Sequence, residues 1–157
     1  MIQRIQSIYL FITVICLTFI SFGADIFSFT VKEAHYTFSA YGVQKFDTAG
    51  KLLELKSSVL YLSTIALSLL CLLAIFSYKN LNRQLRLVRI IFFIYLVLMA
   101  GFIYISSMAS EVIGETIKSQ SYNLGFYLFI AGFPFIFLAN LGIKRDKKLL
   151  DSLNRLR

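Results

Sequence analysis

Residues 57–78, SSVLYLSTIALSLLCLLAIFSY, contain no Lys, Arg, Asp or Glu. A helix rising about 1.5 Å per residue over such a stretch crosses a hydrocarbon core of roughly 30 Å. Working outward, three more windows share the property: 5–24, 90–110 and 119–143. All charges of the 157-residue chain fall between or outside these four windows. One charge at the centre of a spanning helix costs about 2.5–3.5 kcal/mol on insertion scales, so clean windows of this length point to lipid as the solvent. The expectation is an all-α membrane protein. It is a four-transmembrane-helix bundle in one domain over 1–157, with spans near 5–24, 57–78, 90–110 and 122–143.

Composition agrees. Hydrophobic residues make up 58% of the chain and the mean hydropathy is +0.75, above the range of soluble folds. The net charge of +8 could suit nucleic acid. Nucleic-acid binders, however, gather Lys and Arg on a folded face with aromatics interleaved. Here the basic residues sit directly beside apolar spans, so no nucleic-acid partner is expected.

Charge placement sets an orientation. Arg4, the turn with Lys79, Arg83, Arg86 and Arg89, and the tail with Lys144, Arg145, Lys147, Lys148, Arg155 and Arg157 put eleven basic residues on one side, against Asp146 and Asp151. The other side carries five basic and six acidic residues. The basic side stays in the cytoplasm, which predicts N-in/C-in topology in a bacterial inner membrane, with an extracytoplasmic loop over 25–56 and a cytoplasmic tail over 144–157. Ser21-Phe22-Gly23-Ala24 after an apolar run resembles a signal-peptide cleavage site. The apolar run from Ile8 to Phe22 is long for such a core and weakly flanked by charge, so retention as a span is expected. Cys16 and Cys71 fall inside spans and read as small buried hydrophobes.

The loop is patterned. Phe27, Phe29 and Val31 alternate with Ser28, Thr30 and Lys32, and Tyr36, Phe38 and Ala40 alternate with Thr37, Ser39 and Tyr41. This period of two predicts a small β-hairpin turning at 32–35 and resting its apolar face on the bundle. Gly42 and the 47–50 neighbourhood read as further turns. Gly132 and Pro134 predict a kink in the last span. Leu149, Leu150, Leu153 and Leu156 among basic residues predict a short amphipathic tail helix, on the inner leaflet or docked on a partner.

Candidates for chemistry are few. The spans carry no ionisable carboxylate, Lys, Arg or His, and Thr13, Thr18, Ser21, Ser63, Thr64, Ser68, Ser77 and Asn140 read as packing groups. His35 stands alone among histidines, with Glu33, Asp25 and Asp47 as its only possible metal-ligating companions. A solvated turn residue is the simpler reading. Glu111 and Glu115 read as the solvated end of the third helix. No phosphate loop, zinc-protease helix or Ser–His–acid set occurs. No enzyme, metal or cofactor is expected.

The opening Met1-Ile2-Gln3-Arg4-Ile5-Gln6-Ser7-Ile8-Tyr9-Leu10 and the close from Leu138-Ala139-Asn140 through Lys144-Arg145-Asp146-Lys147-Lys148 to Arg155-Leu156-Arg157 resemble a bacterial family of small four-span proteins, the domain-of-unknown-function family numbered 4293. The turn Arg83-Gln84-Leu85-Arg86-Leu87 is similar as well. The resemblance implies a bacterial inner-membrane protein and carries over no site residues. Arg4, Arg83, Arg86, Lys147, Lys148, Arg155 and Arg157 form the candidate surface for a partner or for anionic lipid headgroups. The expected role is a non-enzymatic accessory or scaffold subunit contacting the bilayer and other membrane proteins, or itself. The alternative is a small carrier or channel for a lipid or apolar solute.

Overall fold

The computed structural model describes residues 3–31, 34–47, 51–57, 60–108 and 119–155. In chain order they form α1 (Gln3–Ser21), β1 (Asp25–Thr30), β2 (Ala34–Ser39), β3 (Gly42–Asp47), β4 (Leu52–Ser57), α2 (Leu60–Phe76), a 3-10 turn (Ser77–Lys79), α3 (Leu81–Ser107), β5 (Ser119–Tyr122) and α4 (Leu124–Arg155). Helix α1 packs on α2 and α4, and α3 packs on the same two helices.

Unlike those of a soluble bundle, the helices carry bulky apolar side chains on their outer faces as well as in the core. On α2 the buried face is Thr64, Leu67, Ser68, Cys71 and Ala74, while Leu62, Ile65, Leu69, Leu73 and Phe76 point outward. On α1, Gln6, Leu10, Thr13, Leu17 and Ile20 face inward, and Ile8, Phe11, Ile15 and Phe19 face out. Small and polar groups at the helix contacts of α2, with bulky apolar ones facing out on both helices, suit packing in lipid. Three helical stretches, Leu60–Lys79, Leu81–Ser107 and Leu124–Ser152, are long and apolar enough to cross a membrane. The chain is therefore membrane-associated.

The expected all-α, four-transmembrane class needs correcting. The small hairpin predicted between the first two spans is one part of a five-stranded antiparallel sheet, ordered β4-β3-β2-β1-β5. Three helices meet the spanning criteria by length and composition; α1 contributes a shorter apolar stretch, Ile5–Ser21. The sheet joins two regions far apart in sequence, because β5, just before α4, pairs with β1, just after α1.

The sheet sits on the end of the bundle where α1 and α3 finish and α2 and α4 begin. A bulge between Asp25 and Phe27 breaks the alternation, so Ile26 and Phe27 are both buried. Phe27 stacks on Phe38 at 4.5 Å, and Phe38 meets Phe102 of α3 edge-on at 6.4 Å. The rings continue down the α3–α4 seam through Phe129, Tyr95, Phe133 and Phe92, each within 6.3 Å of the next. Each such pair adds about 0.5–1.5 kcal/mol beyond the area it buries.

The small residues after α1 are a helix stop. Ala24 N–H donates to Phe19 C=O and Gly23 N–H to Ile20 C=O, with Gly23 at φ 97°. This left-handed cap needs glycine and turns the chain into β1. At the opposite end, Pro134 lies inside a continuous α4, and the tail residues through Arg155 extend that same helix. The short amphipathic tail helix expected from the leucine spacing past Ile143 is thus a continuation of the last apolar helix.

Candidate functional site

The end of the bundle away from the sheet holds a polar contact inside an apolar frame. Gln6 of α1 and Asp146 of α4 are 2% and 7% exposed, and Gln6 Nε2 donates to Asp146 Oδ2 at 2.6 Å. Glycine makes the approach possible: a Cβ at Gly142 would lie 2.9 Å from Gln6 Cγ. The Gln6 amide turns its nitrogen toward the Asp146 carboxyl. That leaves Gln6 Oε1 and Asp146 Oδ1 buried without a partner. Unpaired buried acceptors of this kind cost roughly 1–3 kcal/mol each, and more for a charged group.

The Gln6 and Asp146 side chains line a pocket of about 420 Å³ between α1 and α4. Its polar lining is Gln6, Asp146 and Arg145, and its apolar lining includes Ile5, Tyr9, Leu138 and Leu141. Ile5, Leu138 and Leu141 are about half exposed, so the pocket opens sideways on the outer face of the bundle. Gln6 lies within the first charge-free window and carries neither a charge nor a hydroxyl. Its signal was available: a lone amide among apolar residues, on the same face as Leu10, Thr13 and Leu17.

The basic residues singled out from sequence gather at this same end. Arg83 and Arg86 are exposed on the first turns of α3, whose N-cap Asn80 accepts from the Arg83 N–H. Lys148 is exposed and Lys147 partly so, directly after the pocket residue Asp146 on α4. Arg4 and Arg155 lie on the helical backbones of α1 and α4, and Arg157 falls outside the described residues.

Other candidates scatter. His35 lies at the start of β2, its Nδ1 3.3 Å from Thr30 Oγ1. No group of three metal-ligating side chains occurs among the described residues. Burial raises the Asp25 carboxyl above its ordinary value, with the nearby His35 charge opposing the shift. Glu33, Glu111 and Glu115 lie outside the described residues. Cys16 and Cys71 are free and buried. Of the span hydroxyls, Ser21 donates across to Thr64 at 2.9 Å, and Thr18, Ser63 and Ser68 bond back to their own helices.

The two segments that meet at Gln6–Asp146 stand 140 residues apart, at the two ends of a single family match. That match is to the family described as Domain of unknown function (DUF4293), and it covers residues 2–156. The chain belongs to the DUF4293 family. No curated protein matches the sequence. In this DUF4293 chain the described parts of the resembling termini and the resembling turn at Arg83–Leu87 lie at the pocket end, whereas the sheet lies at the other.

Proposed function

We propose that the chain is a non-enzymatic accessory or scaffold subunit of a bacterial inner-membrane assembly, with both termini cytoplasmic, holding a cytoplasmic partner through the far end of α4. The excess of basic residues at the end opposite the sheet supports that orientation. The observation that carries the reading is the continuity of α4. Nine residues of α4 follow Asp146, whereas three of α1 precede Gln6, so α4 projects about 9 Å further. A helix continuous with a membrane-crossing one cannot lie flat on the leaflet. Its exposed Leu149 and Leu150, flanked by Lys147 and Lys148, then face water unless a protein covers them. A partner with an acidic-rimmed apolar groove fits this surface.

Gentle detergent extraction, native size analysis and mass spectrometry test the reading. Wild type should retain stoichiometric protein partners. Leu149→Lys with Leu150→Lys, placed beyond the bundle, should release them, and Arg83→Ala with Arg86→Ala should weaken their hold. A monodisperse small oligomer carrying only lipid, unchanged by the leucine substitutions, replaces this reading with the carrier.

A further inference from the structure

We propose that the pocket between α1 and α4 binds the phosphoethanolamine headgroup of a membrane lipid. The inference is independent of the α4 docking surface, which lies beyond the pocket.

The unpartnered atoms decide the chemistry. Gln6 Oε1 and Asp146 Oδ1 are both acceptors, both buried, and belong to the two side chains that the Gln6–Asp146 hydrogen bond joins. They call for a ligand group with at least two donors and a positive charge. A primary ammonium supplies three N–H donors and neutralises the carboxylate. A quaternary ammonium supplies charge without donors. An anionic headgroup meets the Asp146 carboxylate with repulsion. Calcium or magnesium needs six or more oxygen ligands, and this site offers one carboxylate and one amide. A single water could bridge the two acceptors, but its share of liquid volume is about 30 Å³ and it leaves the charge uncompensated. The pocket is about 420 Å³.

The rest of the lining extends the match. Arg145, one residue from Asp146, lines the same pocket and pairs with a phosphate. The half-exposed Ile5, Leu138 and Leu141 lead outward to the apolar face of the bundle, where acyl chains lie. Ammonium inside, phosphate at the rim and hydrocarbon outside reproduce the order of groups along an aminophospholipid. The opening sits at the end of the bundle where the basic residues gather, the end that a positive-inside orientation puts beside the headgroups.

The full-length protein is purified in detergent and offered phosphatidylethanolamine, its N-monomethyl and N,N-dimethyl derivatives, and phosphatidylcholine, with identical acyl chains, and retention is read by native mass spectrometry. Retention should fall stepwise as N–H donors are lost, by on the order of tenfold across the series. This comparison uses wild-type protein and does not depend on any variant folding. Asp146→Asn should abolish the preference, and Arg145→Gln, at an exposed position, should weaken all four lipids together. Equal retention of the four lipids overturns the proposal, because water or any apolar filler then suffices. Soluble O-phosphoethanolamine displacing bound lipid at comparable concentration overturns the lipid assignment and gives the same chemistry to a free solute.

Discussion

The hydroxyl of Tyr95 occupies the space above Gly132 that any side chain there would fill, and it donates a 2.6 Å hydrogen bond to the Phe129 carbonyl. The tyrosine ring stacks on Phe129 at 4.5 Å, and Thr13 of α1 reaches the Gly132 carbonyl at 3.5 Å. Three helices are thereby fastened just before Pro134, which cannot donate a ladder hydrogen bond. Gly132→Ala should destabilise the bundle by about 1–3 kcal/mol through overpacking. Tyr95→Phe should cost about 0.6–1.5 kcal/mol for the lost interhelical bond. Together they should cost less than their sum, because removing the hydroxyl frees room for the methyl. Thermal unfolding in detergent measures the cycle, and strict additivity refutes the steric account.

Gly125 fastens the sheet to α4. A Cβ there would lie 2.7 Å from the Asp25 carbonyl oxygen and 2.9 Å from that of Ala24. Those are backbone atoms, and β1 is fixed by strands on both sides. Gly125→Ala should therefore cost about 3 kcal/mol, the upper end for overpacking. It should also loosen the Asn123 N–H to Ile26 C=O bond. Faster hydrogen exchange in β1 and β5, with α2 unchanged, is the expected signature.

Where burial imposes a pattern, sequence revealed the structure. The aromatic alternation in β1 and β2 was readable because Phe27, Phe29 and Phe38 must reach the bundle. Strands β3, β4 and β5 were not readable. All four residues of β5, Ser-Gln-Ser-Tyr, are exposed, and so is β4 over Leu52–Leu55. Such strands are selected by main-chain pairing to a neighbour already in place, which demands no binary pattern. The tail read as a helix, but its continuity with the last apolar helix did not show, since main-chain hydrogen bonds ignore the change from apolar to charged side chains. The pocket was hidden for another reason: Gln6 and Asp146 become a pair only when the chain ends meet.

Ser21 and Thr64 join α1 to α2 near the sheet at 2.9 Å: Thr64 donates to the Tyr61 carbonyl, and the one Ser21 hydroxyl proton has both Thr64 Oγ1 and the Leu17 carbonyl within reach. The back-bonds limit what either substitution costs, since the lone partner keeps an acceptor. Ser21→Ala and Thr64→Val should each destabilise by about 0.6 kcal/mol, the average for such bonds in lipid. Replacing both should cost no more than either alone. A double substitution summing to twice the single value removes the hydroxyl pair as the cause.

Asp25 makes the sheet's stability depend on pH. Burial raises its carboxyl above the ordinary 3.8, and the His35 charge only partly opposes this. With a folded value above the unfolded one, the folded state holds the proton more tightly. This contribution is complete below about 3.8 and is lost as pH rises through the folded value. Asp25→Asn keeps a neutral side chain of similar shape, so it should melt at a higher temperature than wild type at neutral pH. The gap should close as acid protonates the wild-type carboxyl. His35→Gln removes the opposing charge and should shift the wild-type limb to higher pH. Melting curves over a pH series in one detergent test both, and a gap between wild type and Asp25→Asn that stays constant with pH rules out the partly buried carboxyl.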